Sequence, residues 1–190
     1  MLFGDDEIWS AQSENLKDWE PSTRTILAPR PGYFDEGYVE VGPPPIETEA
    51  GWLVVYHGVQ KREDLPGDPR VYRLGVALLD RDDPTRLLAR SEQAVLEPLE
   101  AYETAGQIDA GYIDMLIRRH GRDFRRFRRY PPTGSAEGWR PEGFPLAVFC
   151  CGAVERQGVV SVYYGAMDTS ICLAEGTVDG LLQGLRRVDG

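Results

Sequence analysis

The chain has 190 residues, a length that suits one domain with a substantial core, and 42% of them are hydrophobic. Its formal net charge of -10 at pH 7 excludes broad binding to nucleic acids or acidic membranes, because phosphate groups would be repelled over most of the surface. No run of about 18 apolar residues predicts a membrane span. The acidic start MLFGDDEIWS lacks the basic residues of a signal peptide, so the sequence predicts a cytoplasmic protein.

The predicted secondary structure is a series of short strands. Runs rich in β-branched and aromatic residues predict them, and in chain order these runs are EIWSAQS, GWLVVYHGV, YRLGVALLD, LAVFCCGAV, GVVSVYYGA and SICLAE. Polar turns such as SENLKDWEP and the Asp-Asp-Pro of LLDRDDPT separate the runs. Evenly spaced short strands are typical of β-sandwiches and β-propellers. A weak internal repeat, with an aromatic residue beside Gly in both WLVVYHG and SVYYGA, favours the propeller.

Two segments depart from the strand pattern. The C-terminal TVDGLLQGLRRV predicts a short helix. In IDAGYIDMLIRRHGRDFRRFRRY, apolar and basic residues recur at roughly helical spacing, and seven of the 21 basic residues of the chain fall within 118–129. This arginine-rich segment could bind phosphate or acidic sugars, dock on an acidic subunit, or form a solvated helix face.

The three cysteines, Cys150, Cys151 and Cys172, show no spacing typical of metal ligands. Two adjacent cysteines and one distant cysteine, all in apolar surroundings, are predicted to be reduced core residues. The sequence therefore predicts no disulfide framework.

The segment VGPPPIETEAGWLVVYHGV contains one of the two histidines of the chain. Its three prolines, Pro43 to Pro45, donate no backbone hydrogen bonds and predict a stiff, extended approach to a strand pair. The stretch FDEGYVEVG before them is predicted to be a loop. Strand alternation places His57 at a strand end, on the same face as Leu53 and Val55. The residues alone leave two interpretations open: a hydrogen-bonded histidine that closes a strand, or a ligand contact.

Together these stretches resemble glycoside hydrolase family 130, the inverting β-mannoside phosphorylases and mannosidases with a five-bladed β-propeller fold. The matching strings are IWSAQSENLKDWE, GPPPIETEAGWLVVYHGV, YRLGVALLDRDDPTRLLARSEQAVLEP, YETAG and VFCCGAVERQGVVSVYYGAMDTSICLA. The resemblance implies an all-β propeller domain, or part of one, over residues 1–190, similar to the C-terminal portion of the family and comprising about three blades. Residues 109–143 have no counterpart in the family and are predicted to form a helical, arginine-rich insertion, and the resemblance implies a general acid upstream of Met1. The string GDPRV resembles the stretch that carries this acid in the family. It lies between two predicted strands here and is interpreted as a coincidental match.

The resemblance further implies a site at which phosphate attacks the sugar. Inverting phosphorolysis places cationic or neutral hydrogen-bond donors, rather than a carboxylate base, on the face opposite the acid. His57 matches the family histidine associated with phosphate. Tyr38 stands where the phosphorylases typically carry a phosphate-binding Lys, and a phenol donates a hydrogen bond without adding charge. Because Glu36 and Glu40 flank this position, the alternatives are a carboxylate that activates water and a pair of solvated loop charges.

Four further positions match the sugar-binding side of the family. Asp168 in YYGAMDT matches an Asp near the sugar, and its alternative role is to cap its own turn. Tyr72 in YRLG matches a tyrosine of the acceptor side, where an aromatic ring suits the C–H face of a pyranose, and core packing is the alternative. The string FPLAVF keeps Pro145 and Phe149 of the acceptor subsite. It carries Leu146 in place of an Asn, which removes a donor and an acceptor for a sugar hydroxyl.

The resemblance therefore predicts an enzyme, or part of one, that cleaves β-mannosides by phosphorolysis to mannose 1-phosphate. Inorganic phosphate is the co-substrate, and no metal or organic cofactor is implied. Hydrolysis of β-mannosides is the close alternative, and a non-catalytic carbohydrate-binding or subunit-forming propeller piece is the alternative from another class. The implied partners are a mannose-containing oligosaccharide, phosphate, and either another copy or a partner chain that supplies missing blades, because an open sheet edge invites pairing.

Overall fold

The structure is a computed structural model, and it describes residues 1–64, 69–104, 146–167 and 170–188. The predicted insertion at 109–143, with its arginine-rich segment, lies outside the described residues, as do Pro145 and Asp168. The described part of the chain is almost entirely β-structure, which confirms the predicted all-β class. None of the helices described there is long and apolar enough to cross a membrane.

Short strands dominate the order of elements. They are β1 (Leu2–Phe3), β2 (Trp9–Gln12), β3 (Glu20–Pro21), β4 (Tyr38–Val41), β5 (Ile46–Thr48), β6 (Gly51–Lys61), β7 (Arg70–Leu79), β8 (Leu87–Ser91), α1 (Ala101–Thr104), β9 (Leu146–Arg156), β10 (Val159–Ala166), β11 (Ser170–Thr177), α2 (Val178–Gln183) and β12 (Leu185–Arg187). The longest strands, β6, β7 and β9, coincide with three of the apolar runs from which strands are predicted.

The described strands form two sheets. One has three strands in the order β1-β2-β3. The other runs β11-β10-β9-β7-β6-β4, with β5 on β6, β8 on β7 and β12 on β8. Strands β7 and β9 meet in a short parallel contact, where Val71 pairs with Leu146 and Tyr72 with Ala147. This contact joins strands β9–β11, which we call the C-terminal sheet, to the β4–β8 strands.

Strand β6 lies at the centre of the molecule because it is apolar on both faces. Seven consecutive residues are buried, beginning at Leu53. Leu53 and Val55 belong to the core shared with the C-terminal sheet, whereas Val54 and Tyr56 belong to a second core that includes Ile8. A strand covered on both faces has a continuous apolar sequence rather than an alternating one, as GWLVVYHGV does.

The prediction of a loop over FDEGYVEVG is wrong for its second half. Residues Tyr38–Val41 form β4 and pair with β6 in an antiparallel register, with Tyr38 opposite Val59 and Glu40 opposite His57. The Tyr-Val-Glu-Val alternation is typical of a strand, and the Gly residues on both sides conceal it. Tyr38 and Glu40 therefore lie on a paired strand. Glu36 remains exposed outside it and accepts a hydrogen bond from Gln60 Nε2 at 2.8 Å.

The predicted C-terminal helix is shorter than TVDGLLQGLRRV. Helix α2 ends at Gln183, and the next residues, Leu185–Arg187, form β12 and pair with β8. Thr177 caps the start of the helix, because its hydroxyl accepts a hydrogen bond from the Gly180 N–H at 3.0 Å. A second glycine, Gly184, stands directly after the last helical residue and separates the helix from the strand.

All three cysteines are free thiols, as the sequence predicts, but they are not all core residues. Cys150 is buried and Cys172 is half-buried, whereas Cys151 is exposed. Tyr164 pairs with Cys150 and Tyr163 with Gly152, so a β-bulge leaves Cys151 without an opposite residue. The bulge turns Cys151 outward, and the prediction of a core position for it is wrong.

Candidate functional site

Three neighbouring strands bring most of the predicted site residues to one face. Glu40 lies opposite His57, and Val59 lies between Tyr38 on β4 and Tyr72 on β7. Residues that are opposite each other in a β-ladder point to the same side, so the three strands share this face. We call the resulting cluster the candidate site, and its members are Tyr38, Glu40, His57, Arg70, Tyr72 and Phe149.

Two phenols form the hydrogen-bonded centre of the candidate site. The hydroxyl oxygens of Tyr38 and Tyr72 are 2.7 Å apart, and their rings meet edge to face. Arg70 Nη1 donates to the Tyr72 hydroxyl at 3.3 Å, and its guanidinium lies 5.8 Å from the centre of the Tyr72 ring. Burial, followed by the hydrogen bond with Tyr38, raises the pKa of Tyr72 well above its ordinary value. Tyr72 therefore stays a neutral hydrogen-bonding group at physiological pH.

Glu40 is a half-buried carboxyl in acidic surroundings. Burial raises its pKa, the charges of Asp5 and Asp6 raise it further, and Arg70 acts in the opposite direction. The Val39 N–H donates to the Asp6 carbonyl at 3.0 Å, which holds the acidic turn against β4. A carboxylate whose pKa is raised in this way binds a proton more readily than an exposed one, which is the property of a general base.

His57 is a packed, neutral imidazole in the structure. It is fully buried, and burial lowers its pKa to about 4. Its Nε2 accepts a hydrogen bond from the Cys150 N–H at 2.9 Å, and its ring stacks on Phe149 with the centroids 3.9 Å apart. The proton of the neutral ring therefore sits on Nδ1, and the backbone groups of Val41 and Glu40 also act on the ring. A contact of His57 with phosphate or water stays a prediction.

One of the predicted acceptor-side residues of β9, Phe149, joins the cluster. Phe149 lies between His57 and Tyr72, with its ring centre 5.8 Å from that of Tyr72, and it is 36% exposed. Leu146 does not join it: Leu146 is half-buried where β9 begins and lies opposite Val71, which points to the other face of β7 from Tyr72. Strand β9 thus carries a partly open aromatic ring to the edge of the site. The sugar-binding roles of Phe149 and Leu146 stay predictions.

A buried ion network on the other face of β6 has no counterpart in the sequence predictions. Asp35 is fully buried and accepts hydrogen bonds from Arg30 Nε and Nη2, at 3.2 and 2.8 Å. The Tyr56 hydroxyl donates to Asp35 at 2.8 Å, and Arg90 Nη2 lies 2.8 Å from the same carboxylate oxygen. Burial raises the pKa of Tyr56 to about 12. The network fixes the segment before β4, and so the position of β4 itself, against β6.

Two glycines leave space for this network. A Cβ at Gly58 would lie 2.4 Å from the ring of Phe34, and a Cβ at Gly75 would lie 2.5 Å from the ring of Tyr56. Both distances are shorter than any side chain tolerates. The glycines of YHGV and YRLG are thus explained by packing. One arginine of the network, Arg30, precedes Asp35 by five residues in an apparent loop, and the other, Arg90, lies on a strand much later in the chain. Neither spacing gives a signal in the sequence, so the network could not be predicted.

The unclosed, mainly antiparallel sheets of the described residues define a class: part of a β-propeller. The model of glycoside hydrolase family 130, described as beta-1,4-mannooligosaccharide phosphorylase, matches residues 1–111. The chain belongs to this family, which confirms the resemblance predicted from the sequence.

Characterised relatives extend the match over most of the chain. The 1,2-beta-oligomannan phosphorylase of Thermoanaerobacter sp. (strain X514) is 32% identical over 88% of this chain and 42% of its own length. The beta-1,2-mannobiose phosphorylase of Listeria innocua serovar 6a is 31% identical over 96% of this chain and 39% of its own length. The chain thus spans about two fifths of the length of these relatives.

Solved structures likewise match most of this chain and about two fifths of their own length. The beta-1,2-mannobiose phosphorylase from Listeria innocua, in complex with beta-1,2-mannobiose, matches with a TM-score of 0.67 at 31% identity, over 94% of this chain and 38% of that one. A family 130 structure described with glycoside hydrolases that target beta-1,2 mannosidic linkages in Candida mannan matches with a TM-score of 0.63 at 27% identity, over 94% and 42%. The predicted fold, a portion of a five-bladed propeller, is confirmed.

Proposed function

We propose that this chain is part of an enzyme that cleaves β-mannosides by inverting phosphorolysis and releases mannose 1-phosphate. One observation carries the proposal: five of the described residues that the family resemblance assigns to the phosphate and acceptor sides converge on one face, and they are Tyr38, Glu40, His57, Tyr72 and Phe149. The relatives named above, which are phosphorylases of β-linked mannosides, support the same reaction. The proposed substrate is a mannose-containing oligosaccharide, with inorganic phosphate as co-substrate.

Each member of the candidate site has a physical role in this proposal. The open side of the Phe149 ring offers an apolar surface to the C–H face of a sugar. The phenol of Tyr38 donates a hydrogen bond to an incoming oxygen, and the guanidinium of Arg70 supplies positive charge beside it. His57 keeps Phe149 in place by stacking beneath it. In an inverting reaction the proton for the leaving oxygen comes from the opposite face of the sugar.

Hydrolysis is the second candidate, and the charges around Glu40 favour it. The charges of Asp5 and Asp6 both act on Glu40, and Arg70 is the one arginine that acts on it from within the described site. Such surroundings repel a phosphate dianion, whereas a carboxylate with a raised pKa is suited to accept a proton from water. In this alternative, Glu40 acts as the base and water takes the place of phosphate.

Incubation with beta-1,2-mannobiose, with and without phosphate, distinguishes the two reactions. Phosphorolysis yields mannose 1-phosphate only when phosphate is present, and the Glu40→Gln variant keeps this activity. Hydrolysis yields free mannose in both tubes, and Glu40→Gln abolishes it. The exposed Glu47 of β5 provides the matched control, Glu47→Gln, which leaves either activity unchanged. Binding of the disaccharide without either product would contradict both reactions and support the carbohydrate-binding alternative.

The remaining sequence predictions belong to the same proposal. We propose one propeller domain, or part of one, over residues 1–190, with an insertion at 109–143. Contacts of Asp168 and Pro145 with the sugar, a cytoplasmic location and association with another chain stay predictions.

A further inference from the structure

A buried carboxyl outside the candidate site joins helix α1 to the C-terminal sheet. Glu103 is only 2% exposed. Its Oε2 accepts hydrogen bonds from the N–H groups of Leu99 and Glu100, each at 2.9 Å, and its Oε1 accepts one from the Tyr164 hydroxyl of β10 at 2.7 Å. A carboxyl removed from water is costly unless it is bonded in this way. Glu103 therefore fixes Tyr164 relative to the segment before α1.

Tyr164 lies beside the β-bulge of β9. On one side of the bulge Tyr164 pairs with Cys150, and on the other side Tyr163 pairs with Gly152, so Cys151 has no opposite residue. Paired residues point to the same side, and Tyr164 and Cys150 are both buried in the core shared with β6 and β7. Tyr163 points the other way and is 45% exposed. The bulge thus separates an inward tyrosine from an outward one.

The position of the bulge decides which groups of β9 reach His57. In the observed register the Cys150 N–H donates to His57 Nε2 at 2.9 Å, and Phe149 stacks on the imidazole ring. If the ladder ran on without a bulge, Tyr164 would instead lie opposite Cys151. Cys150 and Phe149 would then each turn to the opposite face, because a shift of one residue moves every side chain of a strand to the other side of the sheet. Both contacts with His57 depend on the bulge.

Both strands beside the bulge are anchored on β7. Strand β9 begins in its parallel contact with β7. The segment that leads into α1 bonds to the same strand, since the Leu74 N–H donates to the Leu96 carbonyl at 2.8 Å and the Val95 N–H donates to the Leu74 carbonyl at 2.7 Å. Glu103 extends this second anchor to Tyr164 on β10. The two anchors set β9 and β10 relative to each other, so the extra residue of β9 stays in the bulge.

We propose that Glu103 and Tyr164 are positioning residues of the candidate site. Their hydrogen bond holds the bulge in the register in which β9 contacts His57. Burial, followed by the hydrogen bond with Glu103, raises the pKa of Tyr164 well above its ordinary value, so the hydroxyl keeps the proton that it donates. The reaction that the site performs rests on the proposed function, whereas the position of the bulge does not.

Alkylation of the free cysteines with iodoacetamide reports the position of the bulge. Cys151 is exposed, whereas Cys150 is buried and burial raises the pKa of its thiol to about 11, so Cys151 should be labelled much faster. We expect Tyr164→Phe, which removes the hydroxyl but keeps the ring, to increase the labelling rate of Cys150 about tenfold. Tyr163→Phe is the matched control on the outward side and should leave this rate unchanged. Cys172 lies opposite Tyr164 on β11 and reports general unfolding, so its rate should also stay unchanged.

NMR titration of His57 is the second readout. Without its two contacts to β9 the imidazole is open to water, so its pKa should rise from about 4 toward the ordinary 6.5 in Tyr164→Phe. Glu103→Ala should reproduce both changes. An unchanged labelling rate of Cys150, an unchanged titration of His57, or an equal increase in the labelling of Cys172 would each overturn the proposal. Neither readout measures enzymatic activity, so the outcome is independent of the proposed function.

Discussion

Lowering the pH below 7 is expected to destabilise the folded chain through His57. In the folded state the imidazole is fully buried, and its pKa is about 4 instead of the ordinary 6.5. The unfolded chain therefore binds a proton at this residue at a higher pH than the folded chain does. The stability that comes from burying the neutral ring is complete above pH 6.5 and is lost as the pH falls toward 4.

The size of the effect follows from the two pKa values. Each pKa unit corresponds to about 1.4 kcal/mol, so His57 accounts for a loss of about 2 kcal/mol between pH 7 and pH 5, and about 3 kcal/mol by pH 4. This is a large fraction of the total stability of about 5–15 kcal/mol that is typical of a folded domain.

Urea denaturation of the wild-type chain and a His57→Gln variant at several pH values isolates the contribution of this residue. A Gln side chain can still accept a hydrogen bond from the Cys150 N–H, but it does not titrate. Because the carboxylates and His120 are present in both proteins, their effects cancel in the difference. We expect the wild type to lose about 2 kcal/mol more than the variant between pH 7 and pH 5. A difference that does not change with pH would refute the placement of a neutral, buried His57.

Three further tests, each by urea or thermal unfolding of point variants, probe other parts of the structure. Asp35→Asn removes the charge that neutralises two arginines and should cost about 3–5 kcal/mol of stability. Tyr56→Phe removes one hydrogen bond to Asp35 and should cost about 1–2 kcal/mol. A larger loss for Tyr56→Phe than for Asp35→Asn would contradict a central role for Asp35. Gly75→Ala forces a methyl group against the ring of Tyr56 and should cost about 1–3 kcal/mol of stability. Gly152→Ala is the control, because its methyl group would meet no atom within 4 Å. Equal losses of stability in the two variants would contradict the packing at Gly75. Tyr72→Phe removes the shared hydroxyl of the candidate site and should cost about 1 kcal/mol, and an unchanged stability would contradict that hydrogen bond.

The sequence predicts the longer strands well because their residue types strongly favour β-structure. Strands β6, β7 and β9 to β11 are apolar on at least one face, and strands of this kind are recognisable without any knowledge of their neighbours. The errors concern short strands whose formation depends on a partner. Strand β4 has four residues and forms because it can pair with the longer β6. Strand β12 has three residues and forms because it can pair with β8. That information is tertiary and is absent from the local pattern.

For the candidate site, too, the sequence predicts one part and not the other: the positions of the residues, but not their environments. Alternation along β6 already places His57 on the face of Leu53 and Val55, and pairing with β4 and β7 then adds the predicted tyrosines and Glu40. The environment of each side chain could not be predicted. The Cys150 N–H that bonds to His57 is 93 residues distant in the chain. No periodicity could have shown that His57 is neutral, or that Asp5 and Asp6 act on Glu40.

The string YHG shows how the two halves of this molecule are coupled. Tyr56 points to the buried Asp35, His57 points to Phe149 on the opposite face, and Gly58 leaves space for Phe34 on the face of Tyr56. Three consecutive residues thus connect the ion network to the candidate site through one rigid strand. A change in the network that shifts β6 must also move the His57 ring against Phe149, because adjacent side chains on a strand cannot move independently. The residues that set the geometry of the site therefore include some on the far side of the sheet, away from the site itself.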